Sequence, residues 1–245
     1  MISSMASYAQ KTNLITVNTV KPLKGQKMAF EAAYKQHVAK FHKATENVNV
    51  YEIMSGPNAG SYHLVNGGRT FADFDNVRPD AAAHNLDLDK TFFPLLETTM
   101  NGTYSINDSL SLRTDVVAEK FLMTIRHLKQ DVNQNDLRKE WARTSKINAK
   151  MTGVGWANVS YTFFEQLWDG SDQTQVVSRP LKDGFKALET NFYGERPAGS
   201  PSFRDEYVKA YGHTDWDNRV KLLEGSIVKT EQYIMRLRKD LSTGQ

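Results

Sequence analysis

The sequence predicts an α+β fold in which one strand–helix–strand–strand–helix–strand unit is written twice in a single chain. Three observations carry this. The strand-then-helix opening that begins NLITVNTV at Asn13 and continues through KMAFEAAYKQHVAKFHK is answered by KFLMTIRHL from Lys120, followed by NDLRKEWARTSKINAKM. Leu14 matches Phe121 and Tyr34 matches Trp141, both at a spacing of 107 residues. The hairpin pattern NVYEIMSGPNAGSYHLV from Asn49 returns as VSYTFFEQLWDGSDQTQVV from Val159, with Asp169-Gly170 as the turn signal of the second copy.

Taken in order, MISSMASYAQ is small and polar and does not suit the strand behind it. It reads either as an N-terminal tail or as the remnant of a signal peptide, which would place the mature chain in the periplasm or outside the cell; otherwise the chain is expected to be cytoplasmic. Residues 1–12 are therefore set apart, and the repeats are expected over 13–117 and 118–245. The first helix is predicted from about Gly25 to Lys43, since Phe30, Tyr34, Val38 and Phe41 form one apolar stripe with His37 on its flank. The matching helix carries Leu137 and Trp141, then Ser145 and Asn148 where the first copy has Val38 and Phe41, which predicts a less sealed contact with the sheet.

Short aromatic segments follow each hairpin, with Phe71 and Phe74 in the first copy and Phe185 in the second. HNLDLD from His84 and HTDWD from His213 each precede a helical pattern, where Asp suits the free N–H groups of a helix start. Two carboxylates and one imidazole are also metal-ligand types, but the spacing fixes no further ligand and no metal is expected there. Pro94 should end or kink the first of these helices. Asn66-Gly67-Gly68 and Asn101-Gly102 read as turns. SLSLRTDV and QYIMRLRKDL read as the two closing strands, so that Leu112-Arg113 answers Leu237-Arg238. The Gly-, Pro- and Ser-rich stretch 190–202 reads as a loop able to bring Tyr193 and Arg196 to a ligand.

The 245 residues, 40% hydrophobic, suffice for one large core or two small ones. A net charge of +3 without a long basic run gives no nucleic-acid footprint. The absence of cysteine removes disulfides, thiolate metal sites and cysteine nucleophiles. No apolar run approaches a membrane span. There is no phosphate-binding Gly loop, no nucleophile elbow and no His-Glu-x-x-His pair.

Each unit has the ferredoxin-like βαββαβ order, a four-stranded antiparallel sheet with two helices on one face. On the strand from Lys120, Leu122, Thr124 and Arg126 alternate with Phe121, Met123, Ile125 and His127, so neither face is polar and both need cover. Two such sheets packed on each other satisfy this. Here the chain resembles the dimeric α+β barrel superfamily, with two tandem ferredoxin-like units forming the barrel within one chain. The resemblance implies a small-molecule-binding protein, in the manner of the cofactor-independent monooxygenases that act on aromatic or quinone-like compounds. It leaves open a haem-binding protein and a non-catalytic binding or assembly module. A monooxygenase-like site would use His37 or His63 as base, with Tyr34, Trp141 and Tyr161 lining an aromatic pocket between sheet and helices. A haem would take His213 or His84 as axial ligand, with Arg126 or Arg236 near its propionates or its distal face. Tyr34 and Trp141 also read as plain knobs packing helix on sheet. The expected partner is a small molecule, without nucleic acid or a transmembrane segment, and homo-oligomer assembly is the remaining alternative.

Overall fold

A computed structural model describes residues 13–43, 46, 48–113, 118–153, 160–168, 173–189 and 198–243. The N-terminal stretch 1–12, the Asp169-Gly170 turn, and Tyr193 and Arg196 lie outside these residues. The first half contains β1 (Leu14–Pro22), α1 (Lys27–Phe41), β2 (Val48–Ile53), β3 (Tyr62–Arg69), α2 (Ala81–Asp87) and β4 (Leu96–Ile106). The second contains β5 (Lys120–Leu128), α3 (Gln134–Gly153), β6 (Thr162–Trp168), β7 (Thr174–Pro180), α4 (Phe203–Tyr211), α5 (His213–Ser226) and β8 (Ile227–Leu237).

The strands close into one antiparallel barrel in the order β1-β3-β2-β8-β5-β7-β6-β4. Read around the ring, each half contributes its fourth, first, third and second strand in turn. The halves meet at two seams, β2 with β8 through Tyr51–Leu237, Glu52–Arg236 and Ile53–Met235, and β4 with β6 from Thr103 to Ile106. Closure removes the exposed sheet edges that two separate four-stranded sheets would present.

Alternation decides which side chains face the helices. Val20, Val50, Tyr62 and Leu64 point outward and meet Phe30 and Tyr34 of α1, with Phe92 completing the cluster. Phe30 and Tyr62 are fully buried, each contributing about 1.5–3 kcal/mol of apolar burial. In the second half Leu128, Phe163 and Val177 meet Leu137 and Trp141 of α3, and Tyr207 of α4 packs on Ile147 and Met151. Ser202 begins α4 with a capping box, its hydroxyl accepting from the Asp205 N–H while the Asp205 carboxylate accepts from the Ser202 N–H.

The chain end ties the halves together. Beyond β8, Leu241 inserts into the first half's core, and the Thr243 N–H donates to the Val48 carbonyl. Arg238 grips Glu31 of α1 with both guanidinium nitrogens, at 2.6 and 2.9 Å, and Glu31 also accepts from the Tyr62 hydroxyl. Glu52, buried on β2, is met by Lys27 at 2.5 Å and Arg236 at 2.6 Å.

Several expectations need correction. Helices α1 and α3 begin 107 residues apart, at Lys27 and Gln134, but β1 begins at residue 14 and β5 at residue 120, only 106 apart. One extra residue in the second connection absorbs the difference, and Leu14 is not the counterpart of Phe121. The closing strand of the first half is β4, which contains Asn101-Gly102; among the described residues of SLSLRTDV, Leu112 forms an isolated bridge to Tyr161. Asn66-Gly67-Gly68 likewise lies within β3. Barrel pairing on both sides of a strand overrides the local turn preference of these residues. The helix expected after His84 begins before it, at Ala81, and winds through a π-turn and a 3-10 turn holding Pro94 before β4. Neither Asp87 nor Asp215 caps a helix: Asp87 ends α2, and α5 starts from Gly212 at φ 93° with no side-chain cap. Helix α4 occupies the connection to α5 that had been given no element.

Candidate functional site

An eight-stranded barrel is just wide enough for its inward side chains to fill it or to leave room for one small ligand. Here it leaves room. The inward residues are Ile15, Val17 and Thr19 on β1 and their counterparts around the ring, and between them lies a cavity of about 200 Å³. That is room for about seven waters at ~30 Å³ each, the scale of a compound with one or two rings. Its wall is mostly apolar, with Val65, Ile125, Phe164 and Val176 among the lining groups. Met100 and Asn101, which also line it, are exposed and mark where it meets solvent.

The polar groups are few and concentrated. His63 of β3 sits between Thr19, its cross-strand partner on β1, and Tyr233 of β8. Nδ1 of His63 lies 2.8 Å from the Thr19 hydroxyl and Nε2 lies 2.9 Å from the Tyr233 hydroxyl. The second contact spans the β2–β8 seam, so it joins the two halves inside the barrel. His63 keeps accessible surface although it lies deep in the molecule, because that surface faces the cavity. Loss of solvent pushes its pKa down to about 4, so the ring is neutral at ordinary pH. Burial likewise raises the Tyr233 phenol, which stays protonated and able to donate.

The opposite seam explains why there is space. Val17 pairs with Gly102 as Met123 pairs with Tyr233, and Thr19 pairs with His63 as Ile125 pairs with Val176. Where one seam has His63 and Tyr233, the other has Val176 and Gly102. Two small apolar residues in place of an imidazole and a phenol leave the volume unfilled.

The remaining sequence candidates lie elsewhere. Tyr34 is a core residue between α1 and β-sheet, its phenol pushed up by burial. Trp141, Tyr161 and Arg126 come together under α3 around a void of only about 20 Å³, about one water. Arg126 lies 4.6 Å from the Trp141 ring centre, the indole N–H donates to Gln175 at 2.9 Å, and Asn148 donates to the Tyr161 hydroxyl at 3.4 Å. The polar gap expected from Ser145 and Asn148 is thus largely filled. A pocket was expected between sheet and helices; there Phe30, Tyr34 and Tyr62 pack together in the first half and Trp141 packs on Phe163 in the second, whereas the cavity of about 200 Å³ lies on the other side of the sheets. His37 is buried at the outer side of α1, beside His42 and His84, and does not reach the barrel interior. His213 is exposed at the start of α5. His84 lies beside His37 and His42 at the end of α1, and neither His84 nor His213 lines the barrel cavity. Tyr233 had no distinguishing signal in the sequence; only the strand register reveals that it points inward.

No protein-family model matches the chain, and no curated protein matches it. Solved structures do. An anthrone oxidase-like protein superposes with a TM-score of 0.55 at 10% identity, covering 97% of this chain and 95% of its own. A protein from Lactobacillus acidophilus named as a proposed monooxygenase gives 0.53 at 9%, covering 92% and 94%. Chlorite dismutase from Candidatus Nitrospira defluvii, in complex with imidazole, gives 0.52 at 10%, covering 94% and 93%. The chain has the dimeric α+β barrel fold. At these identities the likeness concerns the path of the backbone over nearly the whole barrel, and the seams, the register and the lumen described above are this chain's own.

Proposed function

We propose that the barrel binds a small, largely apolar ring compound in its lumen and acts on it as a cofactor-independent, monooxygenase-like enzyme. On this reading residues 13–117 and 118–245 are tandem ferredoxin-like repeats, and the site lies between their sheets. The observation that carries the proposal is the His63–Tyr233 pair facing a mostly apolar cavity of about 200 Å³, whose wall also includes Asn58, Ser178 and Glu231. A ligand bearing a hydroxyl or carbonyl finds there one acceptor and one donor, and apolar walls for its rings.

The chemistry follows from the neutral imidazole. A ligand hydroxyl that enters between His63 and Tyr233, in place of their mutual contact, passes its phenolic or enolic proton to Nε2 of His63, the Tyr233 hydroxyl then donates to the resulting oxyanion, and that electron-rich anion is the species that reacts with dioxygen. A base with so low a pKa needs that second donor, because proton transfer to it is otherwise uphill. The names of the anthrone oxidase-like and monooxygenase neighbours agree with this direction.

The test is native mass spectrometry of purified protein for copurified compound, followed by titration with naphthols and recording of oxygen uptake. His63→Gln and Tyr233→Phe are expected to weaken binding about tenfold each, the worth of about 1.4 kcal/mol. Unchanged binding in both variants removes the lumen site. Lumen binding without oxygen uptake retains the binding site and removes the oxygenase.

A further inference from the structure

We propose that His37, His42 and His84 form a binding site for one transition-metal ion of the zinc class on the outer side of the first half, where α2 folds against the end of α1. The three ligand nitrogens lie within 4.8 Å of one another. Nε2 of His37 is 3.1 Å from Nε2 of His84, which is 3.4 Å from Nε2 of His42. A tetrahedral zinc with ligands at ~2.0–2.1 Å sets its nitrogens ~3.3 Å apart. The 3.1 and 3.4 Å separations fall on either side of that edge length.

The outer nitrogens make the case stronger. Nδ1 of His37 is 2.9 Å from the Asp87 carboxylate and Nδ1 of His42 is 2.6 Å from the Glu46 carboxylate. Nδ1 of His84 is 3.3 Å from the Asn85 side-chain oxygen. A carboxylate can only accept, so Nδ1 of His37 and of His42 carries the hydrogen and each Nε2 presents a bare lone pair. His84 has at most one hydrogen on Nε2 in its neutral form and can satisfy only one of the two. A cation at the centre takes all three lone pairs. This is the carboxylate–histidine–metal arrangement in which outer partners fix the tautomer and aim the ring.

Protonation is a poor alternative answer. Cationic rings with nitrogens 3.1 and 3.4 Å apart would repel one another. Among the surrounding charges, Asp87 also holds Lys40 at 2.9 Å, and Arg78 is paired to Asp80 at 2.6 Å while donating to the Phe41 carbonyl at 2.8 Å. These contacts pin α2 to α1, so the ligands are placed by packed elements and not by a free loop. His42 and His84 are half-buried, leaving a fourth position for water or another solvent-borne ligand.

The experiment uses untagged full-length protein treated with EDTA, dialysed, and titrated with Zn²⁺ against a chromophoric chelator. One equivalent per chain is expected, with a rise in melting temperature, and Co²⁺ in its place should give the visible absorption of tetrahedral coordination. His84→Ala and His42→Asn, both at half-exposed positions, should each weaken binding by roughly 100-fold, and Asp87→Asn by roughly 10–100-fold. His213→Ala should leave it unchanged. Absence of a single stoichiometric site in the parent protein, or binding that survives both ligand substitutions, overturns the proposal.

Discussion

Protonating His63 should unfold the barrel from within. In the unfolded chain this imidazole takes up a proton near its ordinary value of 6.5, but the folded lumen refuses it until about pH 4. Between those values the unfolded state binds more protons than the folded one, so stability is full above the upper limit and falls as pH drops toward the lower. At 1.36 kcal/mol per pKa unit the whole effect is about 3 kcal/mol, of which about 2 kcal/mol is lost between pH 7 and pH 5. His37 and His84 shift in the same direction, and the lowered carboxylates add their own loss below about 4.5. The parent protein must therefore be compared with His63→Gln by urea denaturation across this range. The variant, having no imidazole to desolvate, should lose about 2 kcal/mol less than the parent between the same two pH values. Parallel stability curves for the two proteins would show that the His63 ring is hydrated, and the dry lumen would have to be abandoned.

Three further outcomes are expected. Trp141→Ala removes a buried indole and leaves Gln175 without its partner, and should cost about 3–5 kcal/mol in denaturant midpoint analysis; a variant that melts with the parent yet binds naphthols differently would return Trp141 to the ligand site. Arg238→Met keeps the aliphatic stem but breaks the two-nitrogen grip on Glu31, at a cost of about 1.5–3 kcal/mol near neutral pH. Because Arg238 holds the Glu31 carboxyl below its ordinary 4.5, that deficit should shrink as pH falls below this value, and a deficit independent of pH would show the contact is not ionic. Haemin added to the purified protein should give no shifted Soret band, whereas a stoichiometric shifted band would show that the helix–sheet layers open wider than their packing here allows.

The first helix was legible because a stripe such as Phe30, Tyr34 and Phe41 depends only on local periodicity. The strand alternation at Leu122 to His127 correctly foretold two buried faces. What failed was register: a one-residue insertion between β5 and α3 changes no composition, yet shifting a strand by one exchanges its inner and outer faces. For the same reason Met123 and Leu122 look alike in sequence, though one lines the lumen and the other packs outward. His63 could be named but not placed, since its hydroxyl partners come from positions 44 and 170 residues away. The histidine cluster was hidden for a similar reason: His84 comes from α2, 47 residues beyond His37, and it meets the end of α1 only when Arg78 docks on the Phe41 carbonyl.

The unequal seams have a consequence for how a guest could be held. Two identical chains related by a two-fold axis would display every lumen group in duplicate, and a molecule inside could lie either way round with equal energy. Linking both halves covalently frees one wall to carry an imidazole and a phenol while the other shrinks to valine and glycine. A planar guest bound there would therefore meet a compartment with a head and a tail, and would adopt one pose instead of an interchangeable pair.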